Sequence, residues 1–258
     1  MKVERECKIV SKEQVGDAVY MTLEVGDMIR ASFRAPGQFV HIRCGEGLLL
    51  RRPISVCSCM EDEPDDLLSI VFEVRGEGTR WLAGRELGDS LDVLGLAGNG
   101  FDLKPEGRYL LVGGGIGIPP MLGCAQYTGG RATAILGGRS RDKIILEEFF
   151  REDCAKVLCA TDDGSLGHHG FVNALVRREL SEDRGYDGVL ACGPKPMLRN
   201  VAKVAEEFGI PCQVSMEERM GCGVGACLVC ACDMADGSRK HVCKDGPVFD
   251  SREVDWDA

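Results

Sequence analysis

LVGGGIGIPPM, residues Leu111 to Met121, joins an apolar run to a helical one through a stretch dominated by glycine. Glycine lets the backbone approach a diphosphate closely. Prolines in the first helical turn forfeit no hydrogen bond that the helix needs, so its positive end faces the anion. Gly113, Gly114, Gly115 and Gly117 are therefore candidate contacts for a dinucleotide, although the run is not the strict G-x-G-x-x-G of the Rossmann dehydrogenases.

Outward from this joint the pattern is regular. Arg108 to Val112, Ala132 to Leu136, Lys156 to Ala160 and Gly188 to Cys192 read as buried strands. Helical stretches at Pro119 to Tyr127, Leu146 to Arg151, Phe171 to Leu180 and Pro196 to Phe208 alternate with them, which predicts a doubly wound parallel sheet. A second strand-to-helix joint, Leu190 to Met197, carries Cys192-Gly193-Pro194. Thr161 to Gly164 is a polar loop at the same carboxyl edge. Arg139-Ser140-Arg141 follows the second strand, where the adenosine ribose usually lies; the pair of arginines suits either a 2′-phosphate or a surface helix start, and the reading favours NAD over NADP.

Before Lys104-Pro105-Glu106-Gly107 the chain is different. Ala18 to Val25, Gln38 to Arg43, Ile54 to Cys59, Leu67 to Val74 and Ser90 to Leu96 are short β-type runs between turns such as Pro36-Gly37 and Gly88-Asp89, with one helical stretch at Thr79 to Arg85. That predicts an antiparallel β-barrel. After Pro211 periodicity fades and cysteine and glycine dominate. The expected organisation is thus multi-domain, β plus α/β: a barrel over 1–102, a nucleotide-binding α/β domain over 103–210 and a small module over 211–258.

Bulk properties narrow the chemistry. The 258 residues carry a formal net charge of -10, so the basic footprint of a nucleic-acid binder is missing. The start MKVERECKIV lacks the apolar run of a signal peptide, and no segment is long and apolar enough to span a membrane. Both features point to the cytoplasm, where the 14 cysteines favour metal binding, redox chemistry or burial over disulfides.

MGCGVGACLVCAC, residues Met220 to Cys232, is the strongest chemical signal. Cys222, Cys227 and Cys230 have the spacing C-x4-C-x2-C, with Cys243 as a distant fourth, which is the plant-type [2Fe-2S] ligand pattern. Gly221, Gly223 and Gly225 let the loop wrap a cluster without bulk. Zinc sites favour paired C-x2-C or Cys/His units, which this is not. Cys232 is read as a spare, since Cys222, Cys227, Cys230 and Cys243 already complete the four-ligand pattern.

Leu49 to Ser58 reads LLRRPISVCS, and Gly76-Glu77-Gly78-Thr79-Arg80 follows on a later turn. Each alone reads as readily as an ion pair and a helix cap. In this order, with Pro36-Gly37-Gln38-Phe39-Val40 ahead of them and a nucleotide sheet behind, they resemble the ferredoxin-NADP reductase superfamily over essentially the whole chain. The resemblance implies FAD held at Arg52, Pro53, Ile54 and Ser55, with Ser55 near flavin N5. It implies phosphate held by Gly78 and Thr79, and backbone contacts from Val71, Phe72 and Glu73. Cys192, Gly193 and Pro194 would sit where the nicotinamide meets the flavin, so that Ser55 and Cys192 flank the hydride path. Many members carry tyrosine where this chain has Ile54.

The order barrel, nucleotide sheet, terminal cysteine cluster, with Ser215 to Cys222 leading in and Cys243 to Phe249 leading out, is similar to the electron-transfer subunit of B-type dihydroorotate dehydrogenase. That family implies FAD, one [2Fe-2S] cluster and NAD(H), and an FMN-containing dihydroorotate dehydrogenase catalytic subunit as partner in a heterotetramer. Small subunits of NADH-dependent ferredoxin:NADP oxidoreductases and sulfide dehydrogenases share the layout. A zinc-containing redox or nucleotide sensor is the alternative outside enzymes.

Overall fold

The structure is a computed structural model that describes residues 3–61 and 65–258; the first two residues of the amino-terminal stretch read above lie outside it. Strands β1 (Val3–Val15), β2 (Ala18–Glu24), β3 (Phe39–Ile42), β4 (Arg52–Met60), β5 (Leu67–Glu73) and β6 (Ser90–Ala97) close an antiparallel barrel in the order β1-β2-β5-β4-β3-β6. Alternate positions such as Met21 and Leu23, Leu68 and Ile70, and Leu91 and Val93 point inward and fill it. Two short helices interrupt the strands, α1 (Met28–Ser32) and α2 (Glu77–Ala83).

Then follow β7 (Tyr109–Gly114), α3 (Pro119–Tyr127), β8 (Thr133–Gly138), α4 (Glu147–Asp153), β9 (Lys156–Thr161), β10 (His168–His169), α5 (Val172–Glu182), β11 (Gly188–Cys192), α6 (Lys195–Phe208) and β12 (Cys212–Ser215). A hairpin, β13 (Ala231–Asp233) with β14 (Arg239–His241), and a last strand, β15 (Val248–Asp250), complete the chain. The sheet order is β10-β9-β8-β7-β11-β12-β15, parallel except for β15. It therefore runs past residue 210, where the sequence reading ends the nucleotide-binding segment. Val214 and Phe249 are buried partners across β12 and β15, so the ends of the cysteine segment are stitched into the sheet. The cysteine and glycine between them break the apolar periodicity that would have announced these two strands.

Barrel and sheet share a core. Cys57 and Val71 of the barrel pack with Leu111, Ile118 and Met121 of the sheet side. Gly123 makes the approach possible, since a Cβ there would lie 3.1 Å from the Cys57 carbonyl oxygen. Among the described residues no helix is long and apolar enough to cross a membrane.

Candidate functional site

Strand order reverses between β7 and β11: β8 and β9 lie on one side, β12 on the other. Ligands of open α/β sheets bind at such a switch point, outside the carboxyl ends of the strands. Both glycine-bearing joints stand there. Cys192 pairs with Gly113, and a Cβ on Gly117 would fall 2.4 Å from the Cys192 carbonyl oxygen. Gly114 and Gly193 both face Met197, with Gly193 at φ +155. Pro194 caps α6. The structure thus brings Gly113, Gly114, Gly115 and Gly117 together with Cys192, Gly193 and Pro194. The loops after β8 and β9 are tied to each other, Asp163 N–H donating to the Arg139 carbonyl (3.1 Å) and Arg141 N–H to Ser165 Oγ (2.8 Å).

Burial pushes the Cys192 thiol up to about 12; a hydrogen bond from Ser215 opposes this and the charge of Glu217 adds to it. Cys192 is thus a neutral thiol at physiological pH, unfit as a nucleophile. Ser215, its register partner on β12, and Glu217 belong to the stretch quoted above as leading into the cysteines, but their place beside Cys192 is not part of the sequence reading. Only the pairing of two distant strands reveals it.

On the barrel, the Arg52 guanidinium covers Gly78, where a Cβ would lie 2.3 Å from Nε. Arg52 also donates to the Leu50 carbonyl. Thr79 Oγ1 accepts from the N–H groups of Arg75 (2.9 Å) and Gly76 (3.1 Å) and lies 3.2 Å from the Gly76 carbonyl oxygen. The sequence reading offered this hydroxyl to an anion; its hydrogen-bonding capacity is instead engaged in shaping the turn. Pro53 and Ser55 are half-buried on β4, opposite His41 and Phe39. Ile54 is only 9% exposed and packs inside the barrel, away from any stacking role. Val71 points to the shared core, Phe72 into the barrel, and Glu73 pairs with Arg75 at 2.7 Å. The strand bearing them, β5, lies against the Gly115–Gly117 turn, so flavin-type and dinucleotide-type elements adjoin.

The four candidate cluster cysteines gather as two pairs. Cys222 N–H donates to Cys227 Sγ at 3.3 Å, and Cys243 N–H to Cys230 Sγ at 3.4 Å. Val224, Ala226 and Cys227 direct backbone N–H groups at Cys222 Sγ at 3.2–3.4 Å, and Gly225 directs one at Cys243 Sγ at 3.1 Å. Burial opposes ionisation of Cys222, but these N–H groups outweigh it and bring the thiol down to about 6. Burial and its neighbour Cys230 push Cys243 up to about 12. Donors aimed at sulfur stabilise thiolates and tune an iron-sulfur centre. Among the described residues no three His, Cys, Asp or Glu side chains converge as one ion would require. Two sulfurs for each of two irons is the division a [2Fe-2S] cluster imposes, so the donor set fits that group.

A closed antiparallel barrel, a parallel sheet with two glycine-bearing joints at its switch point and a loop of paired thiols define an NAD-linked iron-sulfur flavoprotein of the ferredoxin-reductase type. A sequence model of the iron-sulfur cluster binding domain of dihydroorotate dehydrogenase B matches residues 217–255. The electron transfer subunit of dihydroorotate dehydrogenase B (NAD(+)) from Caldanaerobacter subterraneus subsp. tengcongensis is 37% identical, covering 98% of this chain and 99% of the relative. The subunit of the same name from Bacillus caldolyticus is 40% identical over 95% and 96%. The chain belongs to this family of electron transfer subunits. Among solved structures, an NADH-dependent reduced ferredoxin-NADP oxidoreductase superposes with a TM-score of 0.85 at 33% identity, covering 98% of this chain and 91% of that one. An Amycolatopsis cytochrome P450 reductase shares the fold, with a TM-score of 0.67 at 20% identity over 80% of this chain and 66% of the other.

Proposed function

We propose that the chain carries electrons between NAD(H) and a catalytic partner subunit, through FAD and a [2Fe-2S] cluster, for the interconversion of dihydroorotate and orotate in pyrimidine synthesis. The observation that carries this is the pairing of Cys222 with Cys227 and Cys230 with Cys243 in a chain whose barrel adjoins a dinucleotide joint. NADH gives up two electrons as a hydride and a cluster accepts one, so the bound flavin supplies the conversion between them.

The residues have separate tasks in this reading. Arg52 and Gly78 form a cationic cradle for the FAD diphosphate, and Thr79 holds the turn that Gly78 occupies. Pro53 and Ser55, with the backbone of Ile54, Val71, Phe72 and Glu73, line the isoalloxazine side. Gly113, Gly114, Gly115 and Gly117 let the NAD(H) diphosphate approach the start of α3. Ser55 and Cys192 flank the nicotinamide, with Gly193 and Pro194 shaping the turn; the neutral Cys192 thiol packs the site and excludes water. Val224, Cys227, Leu228 and Val229 are exposed around the thiol loop, and an apolar rim there suits a partner that receives electrons from the cluster. That partner is an FMN-containing dihydroorotate dehydrogenase catalytic subunit, paired with this chain as a heterotetramer.

The likeness to the NADH-dependent reduced ferredoxin-NADP oxidoreductase favours a second reading, a small subunit of that kind of enzyme. Affinity purification from the native cell separates the two. Recovery with an FMN-containing subunit, in a complex where orotate oxidises NADH, is the expected result. Recovery with a larger flavoprotein and no orotate-dependent turnover would establish the second reading instead.

A further inference from the structure

The thiol loop is shaped by its own hydrogen bonds, but those bonds do not attach it to the barrel. Among the contacts that do, two fall one residue from a cluster cysteine. On one side Gly223, directly after Cys222, turns at φ +66 over the ring of His41. A Cβ on Gly223 would lie 2.4 Å from His41 Nδ1 and 3.0 Å from Cε1, so glycine is required both by the backbone and by the ring. His41 is fully buried, on β3, and pairs with Pro53 on the strand that carries Arg52 and Ser55. Arg51 steadies this corner: its guanidinium donates to the His41 carbonyl (3.4 Å) while pairing with Asp92 at 2.9 Å.

On the other side Asn99, just beyond β6, donates through Nδ2 to the carbonyls of Lys244 and Asp245, both at 3.1 Å. Its N–H donates to the Gly246 carbonyl at 2.7 Å. Lys244 directly follows Cys243. Gly225 packs between the two halves, its hypothetical Cβ 2.8 Å from Lys244 Cδ. The barrel thus grips the segment once beside Cys222 and once beside Cys243.

We infer that His41 and Asn99 are positioning residues that seat the two halves of the thiol set on the barrel and so fix the separation between the flavin strand and the cluster. Electron transfer falls steeply with separation, and a loop that kept its cluster but shifted on the barrel would pass electrons slowly. The inference rests on the electron route proposed above.

The test uses the full chain, reconstituted anaerobically, as Asn99→Ala, His41→Gln, Gly223→Ala and the pair Gly223→Ala/His41→Ser. Four quantities are read: iron and labile sulfide per FAD, the EPR line shape of the dithionite-reduced cluster, the rate of flavin reduction by NADH, and the rate of onward reduction of the cluster. Asn99→Ala and His41→Gln are expected to keep iron and normal flavin reduction, to broaden the EPR signal, and to slow onward reduction by about tenfold, a barrier increase of about 1.4 kcal/mol. Gly223→Ala is expected to be worse, and His41→Ser to restore part of its loss by vacating the space the new methyl needs. Unchanged line shape and onward rate in both Asn99→Ala and His41→Gln would overturn the inference. So would a Gly223→Ala defect that His41→Ser leaves untouched. Failure of the electron route itself would look different, because the unsubstituted chain would then not pass electrons from reduced flavin to the cluster.

Discussion

Cys227 is the exposed member of the thiol set, and its partner Cys222 is the one ringed by backbone N–H groups. Replacing Cys227 with serine should leave flavin reduction by NADH intact and stop transfer onward, as read by stopped-flow absorbance; a variant that still reduced the partner at the normal rate would refute the route. Gly78→Ala drives a methyl into the Arg52 guanidinium, and FAD affinity is expected to fall about tenfold or more, a loss of at least about 1.4 kcal/mol measurable by fluorescence titration. The half-buried Cys192 thiol does not ionise in the physiological range, so the NADH half-reaction should show no inflection attributable to it below about pH 10. An inflection near neutrality that Cys192→Ala abolishes would contradict this. The cysteines, the RPIS strand and both glycine joints were legible because their chemistry is encoded in short spacings. His41, Asn99, Ser215 and Glu217 were not, because each acts across strands far apart in sequence, and nothing local distinguishes a histidine under a thiol loop from one in a core.

Apolar elements bounded by sharp glycine and proline punctuation emerged with their bounds intact: Pro119–Tyr127, opened by a proline pair, is a helix and Gly188–Cys192, closed by Gly193-Pro194, a strand, as expected. Strand β1 escaped notice because VERECKIVSKEQV is mostly charged and polar and buries Cys7 and Ile9 fully, leaving too little alternation to read. Helix α1 has only five residues, too few for a period. Strands β12 and β15 were hidden by the cysteine-rich sequence between them, although they close the edge of the sheet. Helix α3 packs against β4 of the barrel, where Gly123 meets the Cys57 carbonyl. Gly123→Leu would force helix and strand apart and should cost about 1–3 kcal/mol by overpacking, seen as a lower denaturant midpoint. A midpoint equal to that of the unsubstituted chain would show that this approach bears no load.

Across the whole molecule, many cysteines are buried thiols rather than ligands. Burial pushes Cys7, Cys57, Cys59, Cys154 and Cys212 up to about 12, well above the roughly 8.5 of a free thiol. A pKa raised in the folded state leaves stability complete below the unfolded value and erodes it as pH rises toward the folded one. The melting temperature should therefore hold to about pH 8.5 and decline from there toward pH 12; a flat profile across that window would be inconsistent with the burial described. The arrangement of barrel, nucleotide sheet and thiol loop makes sense as one conductor only if the paired sulfurs hold iron beside a flavin. The most direct measurement is a determination of iron, acid-labile sulfide and FAD in anaerobically purified protein. About two irons and two sulfides per FAD, with a cluster that NADH reduces, is the predicted result; protein that binds FAD but holds zinc or no metal would contradict the account.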